Sequence, residues 1–169
     1  MKREASAGRL ALTDASPLIG LSIVRGLAWL HALFGEVWLP AQVRDEVLTG
    51  HGFRGEPEIE TALAAGWLRV WKRRVAEAAL PDLGEGEAAC IRIASSRAEP
   101  TLLLMDEKAG RAVAAEHGLR VAGTAALIGM AKARGHIDSA RPVFDALLRS
   151  DFRLSPEVMR AVLARVGEA

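Results

Sequence analysis

The stretch Leu10-Ala11-Leu12-Thr13-Asp14-Ala15-Ser16-Pro17-Leu18-Ile19 holds a short apolar run, a polar break and then residues that begin a helix. Residues 10–12 read as a strand, Thr13-Asp14 as a turn, and the apolar-periodic segment 18–34 as one long helix. Ser16 is placed to cap that helix. Pro17 suits its first position, where a missing N–H costs nothing.

The same alternation continues outward from this stretch. Residues 37–39 predict a strand, and 40–48 a helix that Gly50 and Gly52 terminate. A helix over 58–65 leads to a strand over 67–71, rich in aromatic and β-branched residues. Pro81 to Gly84 break the chain, after which 85–97 is helical, 101–105 is the clearest strand, and 107–117 is helical up to Gly118. A last strand at 119–122 precedes helices near 125–134, 140–149 and 156–166. Ser155 caps the last of these, with Leu154 and Met159 set as a hydrophobic staple. Strands of unalternated apolar character separated by helices imply a parallel sheet covered on both faces, a three-layer α/β/α domain with a helical C-terminal extension.

The 169 residues fit one domain over 1–169, of which about 138–169 is the helical tail, given about 100–200 residues per domain. An apolar half and a charged quarter exclude a disordered or fibrous chain. Cys90 stands alone, so neither a disulfide nor a thiolate set for zinc or an iron–sulfur cluster can form; a reducing cytoplasmic setting is expected. With 22 basic and 21 acidic residues the net charge is +1, so contact with a polyanion must be local. Neither a secretory apolar stretch behind Lys2, Arg3 and Arg9 nor a run long enough for a bilayer is present, so no membrane association is expected.

Gly84-Glu85-Gly86-Glu87-Ala88-Ala89 has dinucleotide-loop spacing, but it follows Pro81-Asp82-Leu83 rather than a strand, and its acids would repel a pyrophosphate. His31, His51, His117 and His136 show no zinc-hydrolase spacing, no Gly-x-Ser-x-Gly elbow occurs, and Cys90 in an Ala/Ile helix reads as a small buried hydrophobe.

The acids are more informative. Asp14 and Asp106 each end a strand, where ligands bind in open parallel sheets. Asp106 could equally cap the helix expected at Glu107. If their strands are neighbours, they stand about 4.8 Å apart. Glu46 lies about 60° from Val43 on the helical wheel, and Glu87 about 40° from Ile91, so both flank buried faces, whereas Asp45 and Glu85 point outward. Inward carboxylates need partners, either arginines or a shared cation. Four clustered carboxylates suit hard ions, magnesium or manganese, and the hydrolysis of phosphoesters.

Thr13-Asp14-Ala15-Ser16-Pro17-Leu18-Ile19, Arg44-Asp45-Glu46-Val47, Gly84-x-Gly86-Glu87-Ala88, Leu103-Leu104-Met105-Asp106 and Val121-Ala122-Gly123-Thr124 together resemble the PIN-domain family. The likeness is strongest to a bacterial and archaeal PIN-like subfamily related to the VapC toxins, and it spans essentially the whole chain. It implies a PIN fold and a Mg2+- or Mn2+-dependent endoribonuclease with metal ligands at Asp14, Glu46, Glu87 and Asp106. It also implies RNA as substrate, an antitoxin as partner and a homodimer as assembly. The sequence departs from the family pattern at Leu104, where many PIN enzymes carry Thr or Ser, and at Glu87, where Asp is usual. Those departures motivate an alternative, a PIN-fold module that binds RNA or protein without cutting. A haloacid-dehalogenase-type phosphatase would need a second Asp where Ser16 stands. Arg69, Lys72, Arg73 and Arg74 beside Trp67 and Trp71 read first as an edge strand with a solvated basic end, and second as a phosphate- and base-binding surface.

Overall fold

The computed structural model describes residues 9–53 and 55–169. Lys2 and Arg3, read above as part of a basic N-terminal segment, lie outside the described residues, as does Arg54. The elements run β1 (Leu10–Thr13), α1 (Ala15–Ile23), α2 (Leu27–Phe34), β2 (Val37–Leu39), α3 (Ala41–Val47), α4 (Glu56–Ala65) and β3 (Leu68–Val70). They continue α5 (Glu85–Ser95), β4 (Thr101–Leu104), α6 (Lys108–Glu116), β5 (Arg120–Ala122), α7 (Thr124–Ala133), α8 (Arg141–Leu148) and α9 (Pro156–Arg165).

The five strands form one parallel sheet in the order β3-β2-β1-β4-β5. Parallel strands need crossovers, and these are right-handed in nearly all proteins. The steps from β1 to β2 to β3 therefore put α1 to α4 on one face, and the steps from β3 to β4 to β5 put α5 and α6 on the other. The packing agrees: α1 touches α3 and α4, α5 touches α6, β1 and β4, and α3, which follows β2, reaches over to α5 beyond the C-terminal ends of the strands. This is the three-layer α/β/α arrangement. The direction of winding reverses between β1 and β4, which makes the cleft beyond their C-terminal ends the topological switch point.

The core is built from the apolar strand residues and the helix faces laid on them. Leu12, Leu39, Leu68, Leu103, Leu104 and Met105 are essentially inaccessible to solvent, each such side chain contributing about 1.5–3 kcal/mol through burial. The tail docks onto this core through Phe144, Leu147, Met159 and Leu163. A β-carbon at Gly129 would stand 2.7 Å from Val162, so glycine there lets α9 approach α7. Ser155 caps α9 as expected, accepting from Val158 N–H.

Three sequence expectations need correction. The segment 18–34 is two helices bent by 117°, because Arg25 takes a left-handed conformation (φ 56°) and Gly26 N–H turns back to Leu21 O. The first helix starts at Ala15 with Asp14 at its N-cap position, so Ser16 and Pro17 lie inside its first turn and Ser16 is not the cap. The helix after β4 starts at Lys108 with Glu107 as its N-cap residue, and Asp106 does not cap it.

Candidate active site

Asp14 and Asp106 leave neighbouring strands. Thr13 pairs with Leu104 in register, and Asp14 N–H donates to Leu104 O at 2.9 Å, which fixes both carboxylates at the switch point. Asp14 is 4% exposed, and its side chain makes no capping hydrogen bond to α1. Glu46 arrives from α3 and Glu87 from the first turn of α5. Glu46 remains open to solvent and Glu87 is half-buried, so Glu46 is less inward than its wheel position suggested. Asp45 and Glu85 are exposed as read.

Glycines flank the four acids: Asp14 and Glu46 approach each other beside Gly86, Glu87 lies against Gly110 and Asp106 against Gly123, and Asp14 feels the charge of the other three. A β-carbon on Gly86 would lie 3.0 Å from Asp14 Oδ1, 3.0 Å from Val43 Cγ2 and 3.2 Å from Glu46 Oε2. One on Gly110 would overlap Glu87 Oε2 and stand 2.7 Å from Met105 Sδ, and one on Gly123 would stand 2.9 Å from Asp106 Oδ1. A β-carbon at these positions would force the neighbouring carboxylate to shift, by a few tenths of an ångström at Gly86 and by more at Gly110 and Gly123. The spacing around Gly84 and Gly86 thus reflects packing of α5 against α3 and β1 rather than a pyrophosphate loop.

Electrostatics set this cluster apart from a surface patch. Burial pushes the Asp14 carboxyl from 3.8 up to about 7; the Ala15 N–H opposes the shift, and Glu87, Glu46 and Asp106 reinforce it by repulsion. Glu46 and Glu87 are raised as well, first by desolvation, with Glu107 and then Glu46 adding repulsion at Glu87. Asp106 is raised by burial, although it accepts hydrogen bonds from Thr124 N–H at 2.8 Å and Thr124 Oγ1 at 2.7 Å and feels Arg111. No salt bridge engages any of the four among the described residues. Glu56 is a contrasting case: also buried, it accepts from Thr49 N–H, Thr49 Oγ1 and Gly50 N–H, which hold its carboxyl below the usual value.

Among the described residues, no group of three or more His, Cys, Asp or Glu side chains is gathered tightly enough to hold a metal ion. The donor set nonetheless fits a hard divalent cation. It is all oxygen, and it has no cationic side chain bonded to it among the described residues.

A family model described as PIN domain matches residues 10–168. The chain belongs to the PIN-domain family. No curated protein matches it. The PIN domain is a nuclease-type fold, generally dependent on divalent metals, and the cleft just described lies where the fold's strand order reverses. Among the described residues no single helix is long and apolar enough to cross a membrane.

Three residues of the cleft escaped sequence reasoning. Glu107 acts on both Glu87 and Asp106, Arg111 faces Asp106, and Thr124 binds it. Thr124 had a legible signal, since with Gly123 it follows β5 as Asp14 follows β1. Leu104 is fully buried and offers no hydroxyl; Thr124 supplies the one that bonds Asp106. Cys90 lies behind the cleft, its thiol donating to Thr13 O at 3.5 Å. Burial pushes that thiol well up, and it behaves as the small buried hydrophobe read from sequence.

Proposed function

We propose that this PIN domain is a metal-dependent endoribonuclease using Mg2+ or Mn2+. Asp14 and Asp106 are the principal ligands, and Glu46 and Glu87 complete the set or orient the attacking water. What supports this reading is that Asp14 and Glu46 approach each other beside Gly86, that Asp14 feels the charge of Glu87, Glu46 and Asp106 from three other elements, and that no side-chain cation is bonded to any of the four among the described residues. When bound, the ion supplies Lewis acidity toward the phosphodiester. The chain's own residues do the positioning. Thr124 locks Asp106 through two hydrogen bonds, Gly86, Gly110 and Gly123 leave room for the carboxylates, and solvent-facing Glu46 accepts a hydrogen bond from water entering the cleft. The resemblance to toxins extends the proposal to an antitoxin partner and a homodimer.

The alternative, an RNA- or protein-binding PIN fold that does not cut, is favoured by buried Leu104, which leaves no hydroxyl two residues before Asp106. RNA cleavage by the full chain in Mn2+, in Mg2+ and in EDTA separates the two. Cleavage that needs the ion and falls at least a hundredfold in Asp14→Asn and Asp106→Asn is expected. Cleavage by these variants at the wild-type rate would refute the enzyme reading, and RNA binding without cleavage in any ion would favour the alternative.

A further inference from the structure

β3 is an edge strand, as its composition suggested, yet its outer side is not merely a solvated basic end. A cavity of about 560 Å³ runs from it past Trp38 on β2 to Leu10 at the start of β1, with Arg69, Trp71, Lys72 and Arg97 among its apolar and basic wall residues. Trp38 and Arg69 are partners in register, so they share a face of the sheet, and the Arg69 guanidinium lies 4.6 Å over the Trp38 ring. Trp71 meets Trp38 edge to face at 5.6 Å, and Arg97 lies 5.6 Å over Trp71.

Two features show what this wall lacks. Trp71 Nε1 and Arg97 Nε are buried donors with no hydrogen-bond partner among the described residues, and such groups are costly to leave unmade. Lys72 and Arg73 are exposed and in no salt bridge among the described residues. Arg97 Nη2 already reaches Glu99 at 3.5 Å and Arg69 Nη1 reaches Glu36 at 3.2 Å, so the donors left to a ligand are Trp71 Nε1, Arg97 Nε, Lys72 and Arg73, and these suit an acceptor-rich anion. The aromatic and guanidinium planes beside them suit a flat, unstacked base.

One end of the cavity lies toward the cleft: Trp71, Lys72 and Arg73 follow the C-terminal end of β3, the same end of the parallel sheet as Asp14, while Leu10, Gly66 and Arg97 line its other end, at the starts of the strands. Two strand spacings separate β3 from β1, about 10 Å. A second cavity, of about 570 Å³, shares Trp71 and Arg73, adds Arg74 and Arg92, and reaches Gln42, one helical turn before Glu46 on α3.

We propose that the cavity beside β3 binds the phosphate and base of a nucleotide belonging to a single-stranded RNA whose neighbouring segment lies in the carboxylate cleft. Trp71 Nε1–H and Arg97 Nε–H donate to the phosphate, Lys72 and Arg73 neutralise its strand, and the Trp38–Arg69 stack receives the base. This deepens the nuclease reading by naming where substrate away from the cut bond is held.

The test is equilibrium binding to the full chain in EDTA, where no turnover is needed, with inorganic phosphate, uridine monophosphate and a uridine decamer as probes. A chain that never cuts RNA can therefore still bear out the site, and a working nuclease can still lack it. The decamer should bind most tightly, with uridine monophosphate tighter than phosphate. Trp71→Phe and Arg97→Lys should each weaken decamer binding about tenfold, as for a lost hydrogen bond to a charged group. In Lys72→Ala/Arg73→Ala, whose side chains are exposed and not needed for folding, the slope of log affinity against log salt should fall by about 1.4, or about 0.7 per lost phosphate contact on a single strand. Unchanged affinity and slope in all three variants would overturn the site. Phosphate binding as tightly as the mononucleotide would overturn the base contact, and mononucleotide binding as tightly as decamer would overturn the strand assignment.

Discussion

Replacing Asp14 by Asn should stabilise the metal-free protein near neutral pH while removing its catalysis. Asp14 is 4% exposed, and its carboxyl is raised from 3.8 to about 7, so the native chain holds this proton more tightly than the unfolded chain does. Stability therefore falls as pH rises from about 4 to about 7, and the full penalty remains above that range. At about 1.36 kcal/mol per pKa unit, the shift amounts to at most about 4 kcal/mol. Water reaching the cleft and the sharing of repulsion among four acids reduce this to about 1–3 kcal/mol. Asn keeps the shape and cannot ionise, so it relieves that strain. For a domain of this size, about 2–4 °C per kcal/mol predicts a melting temperature about 3–10 °C above wild type at about pH 8 in EDTA. The gap should close near pH 4.5, where wild-type Asp14 is protonated. Thermal melts at several pH values, with and without Mn2+, read this directly. Saturating Mn2+ should raise wild type by about 2.7 kcal/mol at one hundred times its Kd and Asp14→Asn by much less. Asp14→Asn melting at or below wild type at every pH would refute the reasoning, because the carboxylate would then not be a strained charge.

Other outcomes follow from the same geometry. Thr124→Val removes the 2.7 Å bond to Asp106 and should cost about 1.5–3 kcal/mol in transition-state stabilisation, read as a roughly ten- to hundredfold loss in kcat/KM on RNA. Its pH profile should move upward, since the hydroxyl no longer opposes the raised Asp106. Gly110→Ala would press a methyl group on Glu87 and Met105; about 1–3 kcal/mol of lost stability by urea denaturation, together with impaired cleavage, is expected, whereas Gly118→Ala, strained by its φ of 70° but far from the acids, should lose stability and leave cleavage intact. Leu103→Ala, far from solvent, should cost about 2–5 kcal/mol by the same denaturation without changing which ion supports cleavage.

Periodicity in the sequence determined the alternating elements, the parallel sheet and the positions of Asp14, Glu46, Glu87 and Asp106 within those elements. Such features are local, because an apolar run, a polar break and a helix-initiating residue act within a few residues of chain. Resemblance then joined the four acids into one expected site. Tertiary structure alone decided what surrounds them. The bend at Arg25 and Gly26 could not be read from an apolar pattern that continues across it. Asp106 looked like a cap for the next helix because capping is judged along the chain, yet its hydrogen bonds run across the fold to Thr124, eighteen positions on. The roles of Gly86, Gly110 and Gly123, the influence of Glu107 and Arg111, and the cavity beside β3 also depend on contacts between segments distant in sequence. Such contacts exist only once strand order is set, and burial, charge repulsion and unmet hydrogen bonds are properties of that assembled surface.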